Sequence, residues 1–89
     1  MLKFDPYGNG DEIFIAYIDN RFYRVSYASG NNIPWSSEYS ENNKIRRYLS
    51  NKLKLESYYG YGVPTNCRFS TKEEAFAICE RHYKLLLLQ

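Results

Sequence analysis

The segment Glu12-Ile13-Phe14-Ile15-Ala16-Tyr17-Ile18-Asp19-Asn20-Arg21-Phe22-Tyr23-Arg24-Val25-Ser26-Tyr27-Ala28 constrains this chain more than any other. Its two arms are β-branched and aromatic, the residue types that fit a pleated surface. Asp19-Asn20 between them tolerate positive φ, as a two-residue hairpin turn requires. That turn sets the register: Ile18 faces Arg21, Ala16 faces Tyr23, Phe14 faces Val25 and Glu12 faces Tyr27. One face then carries Phe14, Ala16, Ile18, Tyr23, Val25 and Tyr27, and should pack on helices. The opposite face carries Ile13, Ile15, Tyr17, Phe22 and Arg24, and is apolar too. Both faces need cover, and 89 residues hold one core with which to provide it.

The rest of the chain shows where that cover comes from. Residues 1–11 are rich in turn formers and read as an entry loop. Ile33 to Tyr39 reads as a third strand with Ile33, Trp35 and Tyr39 on one face, Trp35 belonging to the core. Pro34 cannot donate to a ladder, so this strand is expected at an edge. Residues 41–55 read as a helix, because Ile45, Tyr48, Leu49 and Leu53 recur at helical spacing. Ser40 would cap it, Glu41 suits its positive end, and Lys52 and Lys54 suit the other. Residues 56–66 hold two glycines and a proline and read as a loop. Asn66 to Ser70 reads as a short strand with Cys67 and Phe69 inward. Thr71-Lys72-Glu73-Glu74 is a capping box, opening a helix from about residue 72 to about 87. Its buried face is Ala75, Ile78, Cys79, His82 and Leu86. The expected fold is a single α+β domain over residues 1–89, in the order β-β-(β)-α-β-α. A small antiparallel sheet, the hairpin plus one or two short strands, is covered by two helices.

Several functions are excluded or disfavoured. No apolar run, Leu85 to Leu88 included, approaches a membrane span. Met1-Leu2-Lys3-Phe4-Asp5-Pro6 does not read as a signal peptide, so a cytoplasmic location is expected. Cys67 and Cys79, the only cysteines, are then two thiols. With His82 the only histidine, a zinc site lacks ligands, and no metal or cofactor is expected. Cys79 and His82 share a helix face, but nothing marks a third, orienting group, and both lie in an apolar stripe. No phosphate-binding glycine motif is present. The expectation is a protein that is not an enzyme.

Two surfaces remain. Charge is divided: three bases and five acids through Ser40, nine bases and five acids from Glu41. On the expected helix, Lys44, Arg46, Arg47 and Lys54 form a basic face, and Tyr58, Tyr59 and Tyr61 follow in a glycine loop. Ten tyrosines are unusual in so short a chain. Tyrosine presents an apolar ring and a polar tip, which suits a protein interface or a stacked nucleobase. The second surface is the outer hairpin face of Ile13, Ile15, Tyr17 and Phe22, a site for a partner or a second copy in a homodimer. The expected function is a small non-catalytic interaction protein that binds a protein partner. Asn, Lys, Ile and Tyr make up 30 of the 89 residues. Their codons are A/T-rich, which suits a low-GC bacterium or its virus, and hence a virus-encoded modulator of a host protein. The alternative is a nucleic-acid or nucleotide binder using the basic segment 44–54 and the tyrosines.

Overall fold

The computed structural model describes residues 1–8, 10–41, 45–56 and 62–89. The elements are β1 (Asp5–Pro6), β2 (Ile13–Ile18), β3 (Arg21–Tyr27), β4 (Trp35–Glu41), β5 (Arg47–Leu49), β6 (Leu55–Glu56), β7 (Arg68–Phe69) and α1 (Lys72–Leu87). A short 3-10 turn, Thr65–Cys67, precedes β7. The strands form one seven-stranded sheet in the order β1 to β6, with β7 also paired to β4. Every pairing is antiparallel.

The hairpin folds in the expected register. Phe14 lies opposite Val25, Ala16 opposite Tyr23 and Ile18 opposite Arg21. The Tyr27 amide donates to the Glu12 carbonyl at 2.8 Å. Asp19 takes φ 53°, the left-handed conformation for which the turn needed a residue of its kind.

The third strand differs in position. Pro34 ends just before β4, so nothing in the strand lacks its amide, and β4 is central. It pairs β3 along one side and β5 and β7 along the other. Asp5–Pro6, expected in a loop, pairs with Ile15 and Phe14 and extends the sheet beyond the hairpin.

The helix expected over 41–55 is not there. Residues 47–49 and 55–56 are strands, joined by a tight turn in which the Ser50 amide donates to the Lys54 carbonyl at 2.9 Å. Ser50 explains the departure. Its hydroxyl accepts from the Lys52 and Lys54 amides at 3.3 and 3.1 Å, so a side chain takes donors that a helix would have used. Leu53 sits at φ 63°, outside any right-handed helix. The helical spacing was an accident of a strand buried on both faces: Tyr48 points one way, Leu49 the other, and both are buried. Ile45, the first member of the supposed stripe, is exposed. Among the described residues the architecture is therefore a sheet with one α-helix, and not a sheet under two.

That helix keeps its expected bounds. The Glu74 amide donates to the Thr71 hydroxyl at 3.1 Å, and Ala75, Ile78, Cys79 and His82 are buried. They pack on the inner sheet face with Tyr23, Val25, Tyr39, Leu49 and Phe69. Burying Leu49 completely contributes about 1.5–3 kcal/mol relative to leaving it in water. Trp35 packs at the margin of this core. The N-terminal segment closes one side, with Phe4 stacked on Phe76 at 4.5 Å and the Leu2 amide donating to the Glu80 carboxylate at 2.9 Å. No helix is long and apolar enough to cross a membrane among the described residues.

Candidate functional site

α1 packs on the inner face, and alternation along the strands delivers the other side chains to an outer face on which no helix lies among the described residues. Ile13, Ile15 and Tyr17 reach it from β2, and Phe22, Arg24 and Ser26 from β3. Ser36, Glu38 and Ser40 reach it from β4, opposite Ser26, Arg24 and Phe22. Tyr48 of β5 stands opposite Glu38.

This face has two parts. Its middle is covered: Ser36, Glu38, Ser40 and Tyr48 are all buried. Towards the hairpin it opens into a cleft of about 370 Å³ lined by Tyr7, Ile15, Tyr17, Phe22, Arg24 and Arg46. Tyr17, near the hairpin tip, is 73% exposed, and Tyr7 on the same cleft is exposed too. The Tyr17 and Phe22 rings lean on each other with centroids 5.9 Å apart.

Charge sits at the end of the cleft where the open and covered parts meet. Glu38 is 3% exposed. One of its oxygens, Oε2, lies 3.7 Å from Arg24 Nε and 3.9 Å from an Arg46 terminal nitrogen. Burial raises the Glu38 carboxyl above its ordinary range, and the two guanidiniums pull it back. These separations are ion pairs without hydrogen-bond length. The buried Arg24 Nε has no hydrogen-bond partner, and neither has the Ser26 hydroxyl. Two positive charges thus face one carboxylate.

A second polar group lies in the core. The Tyr23 hydroxyl and His82 Nδ1 are 2.7 Å apart, and the His82 ring also packs tilted against Tyr39 with ring centroids 4.8 Å apart. Burial holds the imidazole below its ordinary value and pushes the Tyr23 phenol far up, so the phenol keeps its proton and donates it to a neutral ring. The Tyr39 hydroxyl donates to Glu41 at 2.7 Å. Cys79 is fully buried next to this group, and burial pushes its thiol up to about 12. An activated nucleophile needs the opposite shift. Among the described residues, no three His, Cys, Asp or Glu side chains gather as a metal would require.

The residues singled out from sequence are redistributed. Ile13, Ile15, Tyr17 and Phe22 share the outer face. Arg46, just before β5, joins them: it lines the cleft and lies 3.9 Å from Glu38. Arg47 lies opposite Tyr39 and so on the other side of the sheet. The continuous basic helix face is thereby split. Lys54 belongs to the turn before β6, and Lys44, Tyr58, Tyr59 and Tyr61 lie outside the described residues. Two lining residues were left out of the sequence-based site. Arg24 was recognised on the outer face, but the β3–β4 register that sets it opposite Glu38 is long-range. Tyr7 reaches the cleft only because β1 pairs with β2. No family model, no curated protein and no solved structure matches the chain.

Proposed function

We propose that this chain is a small interaction protein that binds a protein partner through the outer hairpin face. The observation that carries the reading is Tyr17, a large aromatic left 73% exposed near the hairpin tip, its ring against Phe22 at the wall of a cleft. An exposed aromatic costs the free protein solvation and returns that cost when a partner covers it. The inner face is covered by α1, and the hairpin end of the outer face, where Tyr17 is exposed, is the part offered to a partner or to a second copy of the chain.

Affinity capture tests it. The tagged chain and its Phe22→Glu variant are each presented to lysate with and without nuclease. The reading expects a protein retained by the wild type, lost with Phe22→Glu and indifferent to nuclease. Equal retention by the variant would overturn it. A nucleic-acid binder remains the second reading, favoured by one observation: Arg47, Lys52 and Lys54 are all exposed on one short hairpin. Retention that disappears with nuclease would favour this second reading.

A further inference from the structure

We infer that the exposed face of α1 pairs antiparallel with the same face of a second copy of this chain, each copy seating its last leucines in a groove of the other. The groove runs between the N-terminal segment and the first half of α1 and measures about 430 Å³. Met1, Leu2, Phe4, Phe76 and Ala77 line it, with Glu73 beside them. The Phe4–Phe76 stack and the bond from the Leu2 amide to Glu80 hold its two walls together. Glu73, Ala77, Glu80, Lys84 and Leu87 recur at steps of four and three residues, so they share one side of the helix. That side is opposite the buried Ala75, Ile78, Cys79 and His82. The groove occupies its first half. Its far end carries Leu87, 62% exposed, and Leu88, 82% exposed.

Charge and shape choose the same occupant. Along this face the acids Glu73 and Glu80 precede the bases Arg81 and Lys84. Two such helices laid parallel set acid against acid and base against base. Turned antiparallel about a two-fold axis between positions 80 and 81, Glu80 meets Arg81 of the second copy, and Glu73 comes within a turn of its Lys84. The same rotation carries Leu87 and Leu88 of each copy to the first turns of the other, where the groove lies. The contact is self-complementary and closes as a dimer. Glu73, Arg81 and Lys84 are exposed and form no ion pair within the chain among the described residues. Other charges nearby are accounted for. Lys72 lies over the Phe14 ring, 5.1 Å from its centroid, and Lys3 is exposed between the half-buried Leu2 and Phe4. The Met1 amine adds a positive group at the groove end, and Glu80 already takes the Leu2 amide. Glu73 against Lys84 is therefore the pair on which the register turns. Leu85 falls on the flank of Glu74 and Ile78, off the seam. The sheet stands between α1 and the outer hairpin face, so the pairing leaves Tyr17 of both copies exposed.

Sedimentation equilibrium from about 1 μM to about 1 mM chain tests the pairing, and a reversible dimer is expected in that range. Leu87→Glu, Glu73→Lys and Lys84→Glu should each raise the dissociation constant roughly tenfold. All three positions are exposed, so the fold is retained. Glu73→Lys and Lys84→Glu chains mixed in equal amounts should pair at near wild-type strength, because each supplies at both contacts the sign the other has lost. A purely structural effect of either substitution is not rescued by mixing. A monomer throughout the range overturns the inference. A dimer lost with Phe22→Glu and untouched by Leu87→Glu overturns it in favour of the outer hairpin face. A dimer weakened by both charge variants but not restored by mixing them overturns the antiparallel pairing.

Discussion

Replacing Tyr23 by Phe isolates one atom in the middle of the core. Tyr23 is fully buried, and its ring packs on Tyr39 at 4.9 Å and on His82 at 5.7 Å. Phenylalanine keeps those ring contacts and removes only the hydroxyl, 2.7 Å from His82 Nδ1. The lost hydrogen bond is a net loss of about 1 kcal/mol, and the acceptor left unpaired in the interior brings the total to about 1–3 kcal/mol. For a domain of this size each kcal/mol lowers the melting temperature by about 4–8 °C. Urea denaturation should therefore show a lower midpoint with an unchanged slope. Tyr39→Phe is the control. Its hydroxyl meets a half-exposed Glu41, which water can serve instead, so its effect should be smaller. The double variant Tyr23→Phe/His82→Leu adds a sharper test. With donor and acceptor both gone, no orphan remains, and it should lose less than the two single losses added together. A Tyr23→Phe loss below about 0.5 kcal/mol, or strict additivity in the double variant, would refute the reasoning.

Two other predictions concern titration and thiol access. Burial holds native His82 below its ordinary value, so the unfolded chain takes up that proton more readily. Its contribution to stability is complete above about pH 6.5 and is lost as the pH falls from there through the native value. Glu38, raised by burial, acts in the opposite sense, gaining stability as it protonates. The difference in denaturation midpoint between wild type and His82→Leu, followed from neutral to mildly acidic pH, isolates the histidine and should shrink as the pH falls; a constant difference would contradict the assignment. Burial likewise pushes the Cys67 thiol up to about 11 and the Cys79 thiol up to about 12. A thiol reagent at neutral pH should label neither in the folded protein and both in urea, and rapid native labelling of Cys79 would show an access path that the fold lacks.

What could be read from the sequence was local. The Asp19-Asn20 turn fixes the β2–β3 register by itself, and Thr71 starts α1 with a side chain three residues from the amide it caps. The segment 41–55 misled because Tyr48 and Leu49 are adjacent apolar residues buried on opposite sheet faces, a pattern that helical spacing imitates. Telling the two apart requires knowing that β4 offers an edge to β5, a contact the segment itself does not encode. The candidate site divides in the same way. Ile15, Tyr17 and Phe22 follow from hairpin alternation, whereas the junction of Arg24, Glu38 and Arg46 draws on three segments. Arg46 was noticed as part of a basic helix and serves instead beside a buried acid.

Site-specific crosslinking addresses the working surface most directly. A photoreactive phenylalanine analogue is placed at Tyr17 on the outer face and, in a separate protein, at Leu85, an exposed apolar position of α1. Both are then irradiated in nuclease-treated lysate. The account predicts a discrete protein adduct from position 17 and none from position 85. An adduct from position 85 alone, or none from position 17, would contradict the assignment of the outer hairpin face as the binding surface.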